Sequence, residues 1–220
     1  MASENGRPLI TRRDLCWGVG GVVALLALGG AKVAGARPVV RPPGGQDEDR
    51  VLSACIRCEK CYEICPHRVI APAHIEDGLV GMRSPVMDFD RDYCTFCDEE
   101  NGGRPLCVEV CPTGALRLDE GATARNTFIG LARITEEQCL AFRATRCRVC
   151  VDACPYDALE LDDNAQPYVI EDKCNGCGAC ESVCVSHKSG SSRAGFDRRA
   201  IYVDVRQDAG TDLGRGGERS

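Results

Sequence analysis

Sixteen of the seventeen cysteines in this chain fall into four groups of four, and that arrangement limits the fold more than any other feature. The first group is Cys55, Cys58, Cys61 and Cys65, spaced C-x2-C-x2-C-x3-C and followed by Pro66. The second is Cys94, Cys97, Cys107 and Cys111, with a longer middle gap (Asp98 to Leu106) and Pro112 after it. The third is Cys139, Cys147, Cys150 and Cys154, with the insert Leu140 to Arg146 in its first gap and Pro155 after it. The fourth is Cys174, Cys177, Cys180 and Cys184, spaced like the first but with Val185 in place of proline. With only 5 Phe, 5 Tyr and 1 Trp in 220 residues, there is little aromatic bulk for a wide core. The thiols must supply much of what holds the chain together.

The first and fourth groups carry the bacterial ferredoxin spacing for a 4Fe–4S cluster. Two-residue gaps let a tight loop place three thiolates around one face of a cubane. The fourth cysteine is expected to open a short helix and, in a two-cluster unit, to turn away to the neighbouring cluster. The following proline then fixes the chain direction. Two other uses of thiols fit this pattern less well. Zinc sites take four thiolates, but commonly as two well-separated C-x2-C knuckles. Disulfides suit an oxidising compartment, but cysteines this close in sequence bridge poorly. The expected fold class is therefore α+β: two bacterial-ferredoxin-like modules, each holding two 4Fe–4S clusters. Pairing first with second and third with fourth, or nesting the second and third inside the first and fourth, both fit the spacing.

Thr11-Arg12-Arg13-Asp14 leads into 17 uncharged residues, Leu15 to Ala31, five of them glycine, and then Val33-Ala34-Gly35-Ala36. Paired Arg12 and Arg13, a mildly apolar stretch and a small-residue step resemble a twin-arginine export signal over residues 1–36. Retention as a membrane anchor is the alternative, at the short end of the spanning range. Cys16 lies inside that segment and is not expected to bind metal. Export of a folded, cofactor-loaded chain would keep the thiols from the oxidant. Residues 37–50 read as a stiff linker, 51–206 as the cluster-bearing domain and 207–220 as a disordered tail. The net charge of −6 disfavours a nucleic-acid partner.

Between the groups the chain alternates apolar and polar residues. Leu159–Leu161 and Pro167–Ile170 read as a hairpin leading into Cys174. Phe128–Ile134 reads as the second strand of a similar pair flanking Asp119–Thr127, and Ile201–Val205 as a closing strand. Gly176 and Gly178 are expected to bring backbone N–H groups towards a cluster. His67, His74 and His187 read as exposed or hydrogen-bonded side chains, with no nucleophile or base pattern around them. Arg193, Arg198, Arg199 and Arg206 read as a solvated basic face that could also dock a partner. No catalytic residue is expected: a cubane with four thiolates offers no open position and changes charge by one electron.

The chain resembles the NapG/MauM family of ferredoxin-type proteins. The resemblance rests on Arg12-Arg13, Arg41-Pro42-Pro43-Gly44, Ala54-Cys55-Ile56-Arg57-Cys58, the long-gapped Cys94–Cys111 group with Pro112-Thr113-Gly114-Ala115-Leu116, Cys139-Leu140-Ala141-Phe142 with Arg146-Cys147, and Cys174-Asn175-Gly176-Cys177-Gly178-Ala179-Cys180. It implies four 4Fe–4S clusters held by the sixteen cysteines, a periplasmic location and an electron-carrier role. The implied partners are a polytopic membrane protein that oxidises quinol, with peripheral membrane association, and a downstream periplasmic redox protein, either a c-type cytochrome or a reductase such as nitrate reductase. An accessory role in methylamine utilisation is implied equally. Another reading is the iron–sulfur β-type subunit of a molybdenum oxidoreductase. A structural zinc module that binds another protein is the reading from a different class.

Overall fold

Polar residues around Asp47 start the first helix. Asp47 caps it by accepting from the Arg50 N–H at 3.0 Å, with Glu48 and Asp49 in the first turn. The computed structural model describes residues 38–143, 145–186 and 199–205, together with Gly21. Apart from Gly21, the segment read as an export signal lies outside the described residues, as do the tail from residue 206, His187, Arg193 and Arg198.

The elements are short. Helix α1 spans Glu48–Ala54, α2 Lys60–Ile64, α3 Asp98–Asn101, α4 Leu106–Glu109, α5 Val149–Asp152 and α6 Ala179–Ser182. Strand β1 spans Ile70–Pro72, β2 Pro85–Met87, β3 Leu131–Ile134, β4 Leu159–Leu161, β5 Pro167–Val169 and β6 Ile201–Asp204. The described residues form three sheets of two antiparallel strands each: β1 with β2, β4 with β5, and β3 with β6. Among the described residues no helix is long and apolar enough to cross a membrane.

The expected hairpin before Cys174 is present, with Leu159 opposite Val169. Asp162 turns it by accepting from the Asn164 and Gln166 N–H groups at 2.9 and 2.8 Å. The other expected hairpin is absent. Residues 119–127 turn locally, with Ala122 N–H on the Asp119 carbonyl and Asn126 N–H on that of Thr123, but no strand forms before them: the Leu116 N–H goes to Cys111 Sγ at 3.5 Å and the Arg117 N–H to the Gly44 carbonyl at 3.0 Å. Strand β3 pairs instead with β6, where Leu131 faces Asp204 and Ile134 faces Ile201.

The stretch read as a linker is packed into the domain. Pro42 and Pro43 are fully buried and Arg41 is 4 % exposed. The Arg41 guanidinium holds Glu48 through Nε at 2.7 Å and Nη2 at 2.5 Å, and donates from Nη1 to Ser84 Oγ and the Pro85 carbonyl. Backbone bonds from Met87 to Val40 and from Arg117 to Gly44 complete the attachment. Gly44 sits at φ +79°, and a Cβ there would lie 2.7 Å from the Arg117 nitrogen. A rigid Pro-Pro-Gly run suits close docking as well as it suits a spacer, and the buried forked arginine makes the difference.

Among the described residues, the two larger of three apolar clusters divide the domain. One gathers Val69, Ile70, Phe89 and Leu116 with cysteines of the first and second groups. The other gathers Leu131, Ala132, Leu159 and Ile201 with cysteines of the third and fourth. Strand β6 joins them: Ile201 belongs to the second cluster and Val203 to the first.

Candidate metal centres

The C-x2-C-x2-C loops are bent by residues with positive φ at matching places. In the first group these are Arg57 and Glu59, at φ 56° and 66°. In the fourth they are Gly176 and Gly178, at 77° and 86°. The first loop is exposed, so ordinary side chains are tolerated there at about 1–2 kcal/mol each. The fourth loop has no room for them. A Cβ on Gly176 would lie 2.3 Å from the Gly130 nitrogen, and one on Gly178 would lie 2.0 Å from Phe89 Cδ1. Glycine is needed there for close approach. The Cys177 N–H between them is taken by Asn175 Oδ1 at 3.0 Å.

Helices α2, α4, α5 and α6 carry the third cysteine of each group: Cys61, Cys107, Cys150 and Cys180. Each helix stops before the fourth cysteine, contrary to the expectation that this cysteine opens a helix. The fourth falls one turn after the third and leaves the helix axis, its N–H closing the turn: Cys111 on Val108, Cys154 on Val151 and Cys184 on Glu181, at 3.1–3.2 Å.

This exit sends the fourth cysteine to a neighbouring space. Four partly open cavities are each lined by four cysteines. The first, about 380 Å³, has Cys55, Cys58, Cys61 and Cys111. The second, about 350 Å³, has Cys65, Cys94, Cys97 and Cys107. The third, about 380 Å³, has Cys139, Cys147, Cys150 and Cys184. The fourth, about 310 Å³, has Cys154, Cys174, Cys177 and Cys180. All sixteen thiols are therefore brought together as fours, with the last cysteine exchanged within each half. Of the two pairings open in the sequence, the geometry has first with second and third with fourth. The sixteen thiols are free. They stand around spaces rather than converging on points: among the described residues no group of three or more His, Cys, Asp or Glu is placed to hold a single ion. The donor set and the room between the donors fit a cubane better than a tetrahedral zinc.

Burial also favours the neutral form of the free thiols. Burial pushes Cys61, Cys94, Cys150 and Cys177 up to about 12, and neighbouring cysteine charges add to this. Burial pushes Cys107 and Cys180 well above the ordinary thiol range. Such groups stay thiolates at neutral pH only beside positive charge, which the irons of a cluster supply. Cys111 differs. Burial raises it, but hydrogen bonds from the backbone of Leu116, Thr113 and Ala115 outweigh that and lower it. A similar donor reaches Cys154 from the Ala158 N–H at 3.3 Å, and Cys184 Sγ lies 3.1 Å from Ser186 Oγ in a hydrogen bond. Donors on sulfur tune a cluster's potential.

A family of 4Fe-4S dicluster domains matches residues 54–115, 103–158 and 143–187, and its first match brackets the first two groups together. The ferredoxin-type protein NapG of Escherichia coli (strain K12) is 35 % identical over 200 residues, covering 83 % of this chain and 82 % of that protein. The methylamine utilization ferredoxin-type protein MauM of Paracoccus denitrificans (strain Pd 1222) is 32 % identical, covering 84 % and 87 %. The chain belongs to the NapG/MauM family. A further relative, the ferredoxin-type protein NapF of Escherichia coli (strain K12), is 29 % identical over 150 residues. The family assignment makes this a multi-cluster 4Fe–4S electron-transfer protein with a ferredoxin-like α+β fold.

Several residues of this family member have roles that spacing did not reveal. Arg199, read as part of a solvated face, is 8 % exposed, bonds the Phe89 carbonyl at 2.9 Å and pairs with Asp90 at 3.1 Å. Its apolar neighbours Ala200 and Ile201 were the available signal. Asn175, 2 % exposed, donates to the Ala124 carbonyl. His67 is held by Asp92 at 2.9 Å and Glu100 at 3.0 Å. Burial lowers its pKa, but the two carboxylates outweigh that and raise it.

Proposed function

We propose that the chain is a four-cluster electron relay of the periplasm, exported folded by the twin-arginine route through Arg12 and Arg13. It accepts electrons from a polytopic membrane partner that oxidises quinol and passes them to a periplasmic redox protein on the way to a reductase, with nitrate reductase the first choice. The observation that carries this reading is the set of four cavities, each lined by four thiols, with one cysteine exchanged inside each half. Each cavity holds one 4Fe–4S cluster, and the two halves are two ferredoxin-like modules. A bound cluster supplies a one-electron couple. The protein's own residues hold it by four thiolates, cover it with thin apolar layers and place hydrogen-bond donors on selected sulfurs. Anaerobic purification followed by iron and sulfide analysis tests the cluster count. About sixteen irons per chain are expected, and a folded, colourless, iron-free protein overturns the reading. Reduction of the purified protein by membranes supplied with quinol tests the donor. The MauM relatives match over a similar extent, so an acceptor on the amine-oxidising side is the second reading, separated by which periplasmic protein reoxidises the carrier.

A further inference from the structure

The two halves meet along one seam, and the second and fourth cavities lie on either side of it. The Cys94 N–H of the second cavity donates to the Cys177 carbonyl of the fourth at 2.9 Å. Among the described residues this is the one backbone hydrogen bond linking cysteines of different halves. Tyr156 lines the fourth cavity and packs against the apolar cluster of the second half. Within each half the cavities also adjoin. Cys61 and Cys111 of the first pack in one cluster with Cys65, Cys94 and Cys107 of the second, and Cys150 and Cys184 of the third in another with Cys154, Cys174 and Cys180 of the fourth.

The seam is tightly closed. The Phe89 ring, 5 % exposed, lies against Gly178 so closely that no Cβ fits. Arg199 fastens the same loop from the other half through the Phe89 carbonyl and Asp90. The Ile129 N–H on the Asn175 carbonyl at 2.7 Å, and the Val203 N–H on Glu181 Oε2 at 2.7 Å, tie down either side of the fourth loop.

Resting on the four-cluster reading, we infer that electrons cross between the halves at this seam alone, so that the cavities are used in the order first, second, fourth, third, and that Arg199 and Phe89 are positioning residues for the crossing. Electron tunnelling falls steeply with distance, and a covalent path joined by one short hydrogen bond carries it better than a gap. With clusters bound, the cysteines of the second cavity would hold the one-electron donor and those of the fourth its acceptor. No bond forms or breaks and no proton moves. The order leaves the first and third cavities as the two ends. At the first end, Cys58 is exposed and Ile56 beside it is 62 % exposed.

The test is electron paramagnetic resonance on the full chain, purified without air and poised with a low-potential reductant. Iron is counted in the same samples. The wild type should show spin–spin interaction within each pair and a further interaction between the pairs. Arg199→Met and Phe89→Ala should keep the iron and the within-pair signals while losing the between-pair one. Phe89→Leu, which keeps most of the apolar bulk, should restore it. Arg133→Met, which removes an exposed pairing with Glu171 away from the seam, should change nothing. Sixteen irons without a between-pair signal overturn this inference alone, as does a between-pair signal that survives both Arg199→Met and Phe89→Ala. A wild type holding fewer than four clusters overturns the relay reading and this inference with it.

Discussion

The exchange of the fourth cysteine predicts which pairs of substitutions add and which do not. Cys58 and Cys65 belong to one sequence group but line different cavities, whereas Cys58 and Cys111 belong to different groups but line one cavity. Replacing Cys58 with Ala removes a ligand from the first cavity, and the chain should fall from about sixteen irons to about twelve. Adding Cys111→Ala removes a second ligand from the same site and should cost nothing more. Adding Cys65→Ala instead empties the second cavity as well, leaving about eight. The logic is that of a double-mutant cycle: residues serving one site are non-additive, and residues serving separate sites add. The assay is iron and acid-labile sulfide per chain on anaerobic protein. The third and fourth groups provide a replicate, because Cys147 with Cys184 should be non-additive and Cys147 with Cys154 additive. The opposite pattern, with the same-group doubles at about twelve and the cross-group doubles at about eight, would refute the exchange and the pairing drawn from it.

Other consequences follow from the packing. Arg41→Ala leaves Ser84 and the Pro85 carbonyl without their donor and releases Glu48, which is half exposed. It should destabilise the first half by roughly 2–3 kcal/mol, read as earlier thermal loss of iron–sulfur colour; an unchanged melting curve would count against the docked Pro42-Pro43 segment. Gly178→Ala drives a methyl group into the Phe89 ring at a positive φ. A penalty on the order of 2–4 kcal/mol is expected, and limited proteolysis should cut the seam loops first. Gly114→Ala, also at positive φ but with open space around it, should cost only the backbone strain, about 1 kcal/mol. Anaerobic removal of iron with a chelator should unfold the domain, since four cavities of about 310–380 Å³ then lose their contents; an apoprotein as protease-resistant as the loaded form would contradict this.

What the sequence determined by itself is the chemistry and its local geometry. The four spacings name the ligand type, and short loops with positive-φ residues follow from two-residue gaps whatever surrounds them. The β4–β5 hairpin was legible because its turn residues are adjacent in the chain. The docking of Arg41-Pro42-Pro43 and the burial of Arg199 were not legible, because each depends on a partner loop distant in sequence. The pairing of β3 with β6 was hidden for the same reason: both strands announce themselves, but only burial of Leu131 and Ile201 in one layer selects the match. Which cavity receives each fourth cysteine, and which cavities face each other across the seam, are likewise matters of tertiary structure. Spacing fixes the curvature of a loop, whereas neighbours in space are chosen by packing, by closures such as Phe89 on Gly178, and by the hydrogen bond from Cys94 to Cys177.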